Sequence, residues 1–112
     1  MLNIAVLVSG GGTNLQALID AEKRGEIVNG KITCVISSKP GVYALERAEK
    51  NGIPTVVIAR SDYKDIASYT AAVTKELQDR KADLVVYAGF MTILDSQIVK
   101  AFPGKMMNVH PL

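Results

Sequence analysis

The sequence is short of most features that mark a specialised chain. It has a single cysteine, Cys34, so no internal disulfide can form and the composition fits a reducing, cytoplasmic compartment. Cys34 lies inside the apolar run Ile32 to Ile36, which makes it a buried strand residue rather than a reactive thiol. Neither sign of charge is in excess. A net charge of +2 gives no reason to expect nucleic acid or a membrane surface as a partner, and any anion must be held locally. Long apolar runs are also missing: the first is one strand long with no basic region before it, so neither a signal peptide nor a membrane span is expected. Repeats, linkers and low-complexity tracts are lacking too, and 112 residues make one domain with one core.

What is present starts with Ile4-Ala5-Val6-Leu7-Val8-Ser9-Gly10-Gly11-Gly12-Thr13-Asn14-Leu15. An apolar run enters three glycines, and a Thr-Asn pair then opens an amphipathic segment: buried strand, tight turn, helix start. Glycines let the backbone approach a ligand closely, and the first helical turn offers unpaired N–H groups and the positive end of its dipole. The stretch Gly10-Gly11-Gly12-Thr13-Asn14 is therefore a candidate phosphate site in outline, with Thr13 or Asn14 placed to cap the helix or to give a side-chain hydrogen bond to a phosphate oxygen; the alternative is a glycine-rich turn that only packs tightly.

The rest of the chain alternates in the same way. The helix after Asn14 carries Leu15, Ala17, Leu18, Ile19 and Ala21 at helical spacing and closes at Gly25. Strands are predicted at 31–38, 54–59, 83–88 and 105–110, and helices at about 42–50, 65–80 and 95–101, the third of the four helices facing the sheet through Ile66, Tyr69, Ala72, Val73 and Leu77. Five short apolar strands alternating with helices give an α/β fold, an open and mostly parallel five-stranded sheet with helices on both faces. Right-handed crossovers favour the doubly wound, Rossmann-like order 3-2-1-4-5, with ligands beyond the C-terminal ends of the strands near the switch between strands 1 and 4. Three chemically unusual stretches fall at that rim: Ser9 to Asn14, Gly89 to Leu94 and Asn108 to Pro111.

A dinucleotide site is the first reading to weigh, and its fingerprint fails twice. Leu15 stands at the third glycine position, and Ser37 and Ser38 stand where an acidic ribose ligand belongs; Lys39 keeps open a 2′-phosphate and hence NADP. A P-loop is excluded because no Gly-Lys-Ser/Thr follows the glycines. On the fifth strand, Asn108 and His110 are two apart and point to one side. An amide beside an imidazole suits acyl transfer: the amide donates to an oxygen gaining charge while the imidazole moves a proton or steadies that charge. The alternative is that His110, the only histidine, merely ends a strand. No Asp or Glu is obviously placed to orient it, and no metal-ligand pattern occurs.

Ser9-Gly10-Gly11-Gly12-Thr13-Asn14-Leu15-Gln16-Ala17, Ala88-Gly89-Phe90-Met91 and Met107-Asn108-Val109-His110-Pro111 together resemble the N-terminal half of phosphoribosylglycinamide formyltransferase, a folate-dependent enzyme of purine synthesis. The resemblance covers essentially the whole chain, in order. It implies transfer of a formyl group from 10-formyltetrahydrofolate to the amine of glycinamide ribonucleotide. By position, Gly11, Gly12, Thr13 and Asn14 would hold the substrate phosphate, Asn108 and His110 would be two members of the catalytic set, and Phe90, Met91, Ile93 and Leu94 would line the folate site.

Departures accompany the matches. Gly11 stands where some members have Asn, and Thr92 where some have an Arg reaching the folate tail. The family continues after His-Pro with Ser and a second half that carries the catalytic Asp, whereas Leu112 is the last residue here. The resemblance thus implies a single N-terminal domain, 1–112, cut short at its C-terminus, with an exposed fifth-strand edge open to self-association and with negligible turnover by itself. Two rivals remain: a formyltetrahydrofolate deformylase fragment, disfavoured because the first strand begins with no regulatory domain before it, and a non-catalytic nucleotide-binding module.

Overall fold

The computed structural model describes residues 1–109, and within them the expected sheet forms. Five strands, β1 (Leu2–Val8), β2 (Gly30–Ser37), β3 (Thr55–Val57), β4 (Leu84–Ala88) and β5 (Met106–Val109), pair in the order β3-β2-β1-β4-β5, every pair parallel. β1 is central because it can be: Ile4 to Val8 are apolar at every position, so both of its faces lie under helices without exposing a polar side chain to the core.

The helices divide by face. α1 (Thr13–Lys23) and α2 (Tyr43–Lys50) place Leu15, Ile19, Ala44 and Ala48 against Ile4, Val6, Val8, Val35 and Val86. On the opposite face α3 (Ile66–Asp79) and α4 (Gln97–Ala101) place Tyr69, Val73, Leu77 and Ile98 against Ala5, Leu7, Cys34, Ile36 and Val85. Cys34 is buried in that second layer, as its position in the apolar run requires, and burial pushes its thiol pKa up. Crossing from one face to the other after β3 puts the topological switch between β1 and β4, where the C-terminal ends of neighbouring strands open a crevice.

Local chemistry explains the element ends and corrects several expectations. Gly25 does close α1, its N–H bonding to Glu22 O while Glu26 N–H reaches Ala21 O, and Gly52 repeats the arrangement after α2. The N-terminal cap of α1 is neither Thr13 nor Asn14: Gly12 occupies it at φ 81°, ψ 28°, with no side-chain cap, which leaves both polar side chains free for other partners. Asp65 caps α3 by accepting from Ser68 N–H at 2.8 Å. Ile66 was expected to face the sheet but is 37% exposed, because in the first turn it lies beyond the edge of the buried stripe set by Tyr69, Val73 and Leu77. β3 is shorter than its apolar run, since after Val57 the chain turns into a 3₁₀ segment at Arg60–Asp62. β5 is seen from Met106 to Val109; the pairing of Asn108 with His110 on one side concerns a residue outside those described.

Among the described residues β5 forms one edge of the sheet, paired with β4 through Tyr87↔Asn108 and Ala88↔Val109 among others. On the α1 face next to it lies an apolar hollow of ≈ 190 Å³, lined among others by Ile4, Leu18, Leu84, Val86 and Met107.

Candidate functional site

Three loops emerge at the C-terminal rim, and side chains of the segment following β1 join all of them. Ser9, at the end of β1, is buried; its hydroxyl lies 2.7 Å from that of Ser38 beyond β2 and accepts from Met91 N–H at 2.9 Å beyond β4. Asn14 Nδ2 crosses over the end of β4, passing within 4.0 Å of where a Cβ on Gly89 would sit, and donates to Val109 O on β5 at 3.4 Å. The phosphate-loop candidates and the Asn108 strand end are thus brought to one place. Asn108 itself is exposed, in register with Tyr87 on the α3 and α4 face.

The glycine loop has the form of an anion cradle. Gly12 in the left-handed region followed by helical Thr13 turns successive N–H groups to one side, the concave backbone arrangement that binds anions, at the positive end of an eleven-residue helix. Among the described residues, the amides of Gly11, Gly12, Thr13 and Asn14 have no protein acceptor. Only glycine serves at position 12. Besides its positive φ, a Cβ there would meet Ala44 Cβ at 2.7 Å and Ala44 Cα at 2.8 Å, because α2 packs directly against the loop. Gly11 has open space around it and no such requirement.

The second loop, 89–96, is fastened at two points: Met91 N–H to Ser9 Oγ, and Asp95 N–H to Thr70 Oγ1 on α3 at 3.0 Å. Its four candidate folate residues separate into two pairs. Phe90 and Leu94 pack against the α3 layer, Phe90 stacked on Tyr87 with ring centroids 5.8 Å apart, whereas Met91 and Ile93 are 80% and 71% exposed. Alternate residues therefore anchor the loop and present apolar surface to solvent. Burial raises the Tyr87 phenol pKa and keeps it a neutral wall. Among the described residues no group of His, Cys, Asp and Glu could hold a metal ion, and no helix is long and apolar enough to cross a membrane.

Sequence reasoning missed three participants. Ser9 and Ser38 form a buried hydroxyl pair that ties β1, β2 and the 89–96 loop, yet Ser38 drew notice only for not being acidic. Arg47 on α2 donates through Nε to Gly11 O at 2.7 Å. No local signal marks it, because Arg47 reads as one more polar residue on an amphipathic helix.

Fold and rim together define a doubly wound α/β domain in which a glycine loop opens the first helix and the Asn14 side chain ties that helix to the end of β5. Residues 2–112 match the family model described as "Formyl transferase", and the chain belongs to that family. Among its relatives, the phosphoribosylglycinamide formyltransferase of Haemophilus influenzae is 44% identical over 111 residues, covering 99% of this chain and 52% of that protein. The trifunctional purine biosynthetic protein adenosine-3 of Bos taurus is 45% identical over 108 residues, 96% of this chain and 11% of that one. A crystal structure of glycinamide ribonucleotide transformylase 1 from Symbiobacterium toebii superposes with a TM-score of 0.92 at 38% identity, over 99% of this chain and 52% of the other. The chain spans about half the length of the bacterial formyltransferases it matches.

Proposed function

We propose that this chain provides the nucleotide-phosphate site and part of the formyl-donor site of a phosphoribosylglycinamide formyltransferase acting in the cytoplasm on small-molecule substrates. The reaction moves a formyl group from 10-formyltetrahydrofolate to the amine of glycinamide ribonucleotide: the bond from the formyl carbon to the donor nitrogen breaks, a bond to the acceptor amine forms, and the amine's proton passes to the donor nitrogen. The observation that supports this reading is the hydrogen bond from Asn14 to Val109 O, which joins the helix opened by the glycine loop to the strand residue that follows Asn108.

Each group has a task that its chemistry suits. The amides of Gly11, Gly12, Thr13 and Asn14 hold the phosphate, and fixing that end of the nucleotide turns an encounter into a positioned attack. The Asn108 amide donates to the formyl oxygen as it gains charge in the tetrahedral intermediate. His110, outside the described residues, handles the proton and the charge. Met91 and Ile93 supply apolar surface to the flat ring system of the donor, on a loop held in place through Phe90 and Leu94. Transfer to water, as in a deformylase, would need no phosphate cradle.

Calorimetric titration of the chain with glycinamide ribonucleotide and with NADP(H) tests the reading. Binding of the ribonucleotide that weakens in Asn14→Ala is the expected result. Binding of NADP(H) alone would replace this proposal with a dinucleotide site.

A further inference from the structure

All three carbonyls of the glycine tract are held on the side away from the cradle. Gly10 O accepts from Ala44 N–H at 3.1 Å, Gly12 O from Gln16 N–H at 2.8 Å, and Gly11 O from Arg47 Nε at 2.7 Å. The peptide unit is planar and trans, so its N–H points opposite to its C=O. Holding Gly10 O therefore aims the Gly11 N–H, holding Gly12 O aims the Thr13 N–H, and holding Gly11 O aims the Gly12 N–H. Two of these three holds are main-chain bonds. The third depends on one side chain.

We infer that Arg47 is a positioning residue for the phosphate cradle: its guanidinium fixes the peptide between Gly11 and Gly12 so that the Gly12 N–H faces the anion. The inference rests on the proposed phosphate site and deepens it. Arg47 is built for this work. Its second arm, Nη1, reaches Gln16 Oε1 on α1 at 3.3 Å, and its guanidinium lies 4.7 Å from the centroid of the Tyr43 ring, so the planar fork is held from three directions. Among the described residues no carboxylate forms an ion pair with it. Among the described residues, Arg47 is the basic side chain that hydrogen-bonds to the loop.

The test uses two charge-equivalent variants. Arg47→Met removes the fork; Lys50→Met removes a cation from the same helix that sits 5.4 Å from the same Tyr43 ring. The amide resonances of Gly11, Gly12 and Thr13 are followed by NMR without ligand, and calorimetry compares glycinamide ribonucleotide with its phosphate-free nucleoside. The Gly12 amide is expected to move in Arg47→Met, with nucleotide affinity falling about tenfold and nucleoside affinity changing less than about twofold, the scale of one hydrogen bond serving a charged ligand. Lys50→Met should do neither. An unmoved Gly12 amide, equal losses for nucleotide and nucleoside, or an equal effect of Lys50→Met would each overturn the inference. If the methionine variant does not fold, Arg47→Lys, which keeps the charge and loses the planar fork, is read by the same criteria. Should the unaltered chain take up no ribonucleotide, the proposed phosphate site fails, and the Gly12 amide by itself decides the role of Arg47.

Discussion

Asn14 and Val109 are 95 positions apart in sequence, and the Asn14 side-chain amide lies 3.4 Å from the Val109 carbonyl. The distance is at the long end for a hydrogen bond, so this contact guides more than it stabilises. Its effect is to lay the first residues of α1 across the end of β4 toward β5. Asn14→Ala should therefore leave the melting temperature nearly unchanged. It should weaken glycinamide ribonucleotide by about tenfold or more if the same amide also serves the phosphate. Unaltered affinity on calorimetric titration would remove the Asn14 side chain from the site and leave only its backbone N–H there.

Gly12 and Gly11 are neighbours with opposite tolerances. A side chain at 12 must adopt a positive φ and displace α2, since the contacts with Ala44 at 2.7 and 2.8 Å involve its Cβ and backbone rather than a flexible tip. Gly12→Ala is expected to destabilise the fold by roughly 2 to 4 kcal/mol, combining left-handed strain with overpacking. Gly11→Ala, with nothing within 4 Å, should stay within about 0.5 kcal/mol. Urea unfolding of the two variants gives the comparison directly.

Ser9→Ala strips the acceptor from Met91 N–H and the partner from the Ser38 hydroxyl. Leaving partly buried polar groups unpaired costs about 1 to 3 kcal/mol. The sharper expectation is local: amide exchange at Met91 should accelerate while exchange in β2 stays slow. Uniform acceleration across the sheet would mean that Ser9 serves the whole fold and not the 89–96 loop.

Tyr69 provides a pH signature. Its hydroxyl donates to Ile58 O at 2.7 Å, and burial first, then the neighbouring Tyr63, push its pKa from 10.0 up to about 12, against the opposing effect of Arg60. An unfolded phenol loses its proton near the lower value and the native one near the higher. The stability held by the neutral form is complete below pH 10.0 and is lost as pH rises to about 12. Comparing unfolding midpoints of the chain and of Tyr69→Phe across that window should show the steeper decline in the unsubstituted chain, by up to about 1.4 kcal/mol per pH unit. Parallel declines would contradict the assignment.

Several features of the architecture were legible without coordinates. The unbroken apolar run of β1 could only be a central strand, Gly25 closes the first helix where turn chemistry says it should, and Cys34 sits where its apolar neighbours put it. The candidate site was legible as letters: the glycine loop and the Asn108 stretch both fall at strand ends. Arg47 was not legible, because a basic residue on an amphipathic helix looks alike whether it meets water or a carbonyl. Ile66 was misplaced for a related reason: helical spacing gives the direction of a face but not where the neighbouring layer stops.

The amino-acid order by itself determined which segments become strands and helices and in what sequence the sheet is wound, since hydrophobic period, capping and glycine are effects of a few adjacent residues and right-handed crossover leaves few alternatives. Only the folded chain decided which rim groups touch. Asn14 with Val109, Met91 with Ser9, and Arg47 with Gly11 join residues 95, 82 and 36 positions apart. Hydrogen bonds of that kind depend on distances of a few tenths of an ångström between loops, which are set by how closely the layers pack: here, by how near α2 can come to a glycine that carries no side chain.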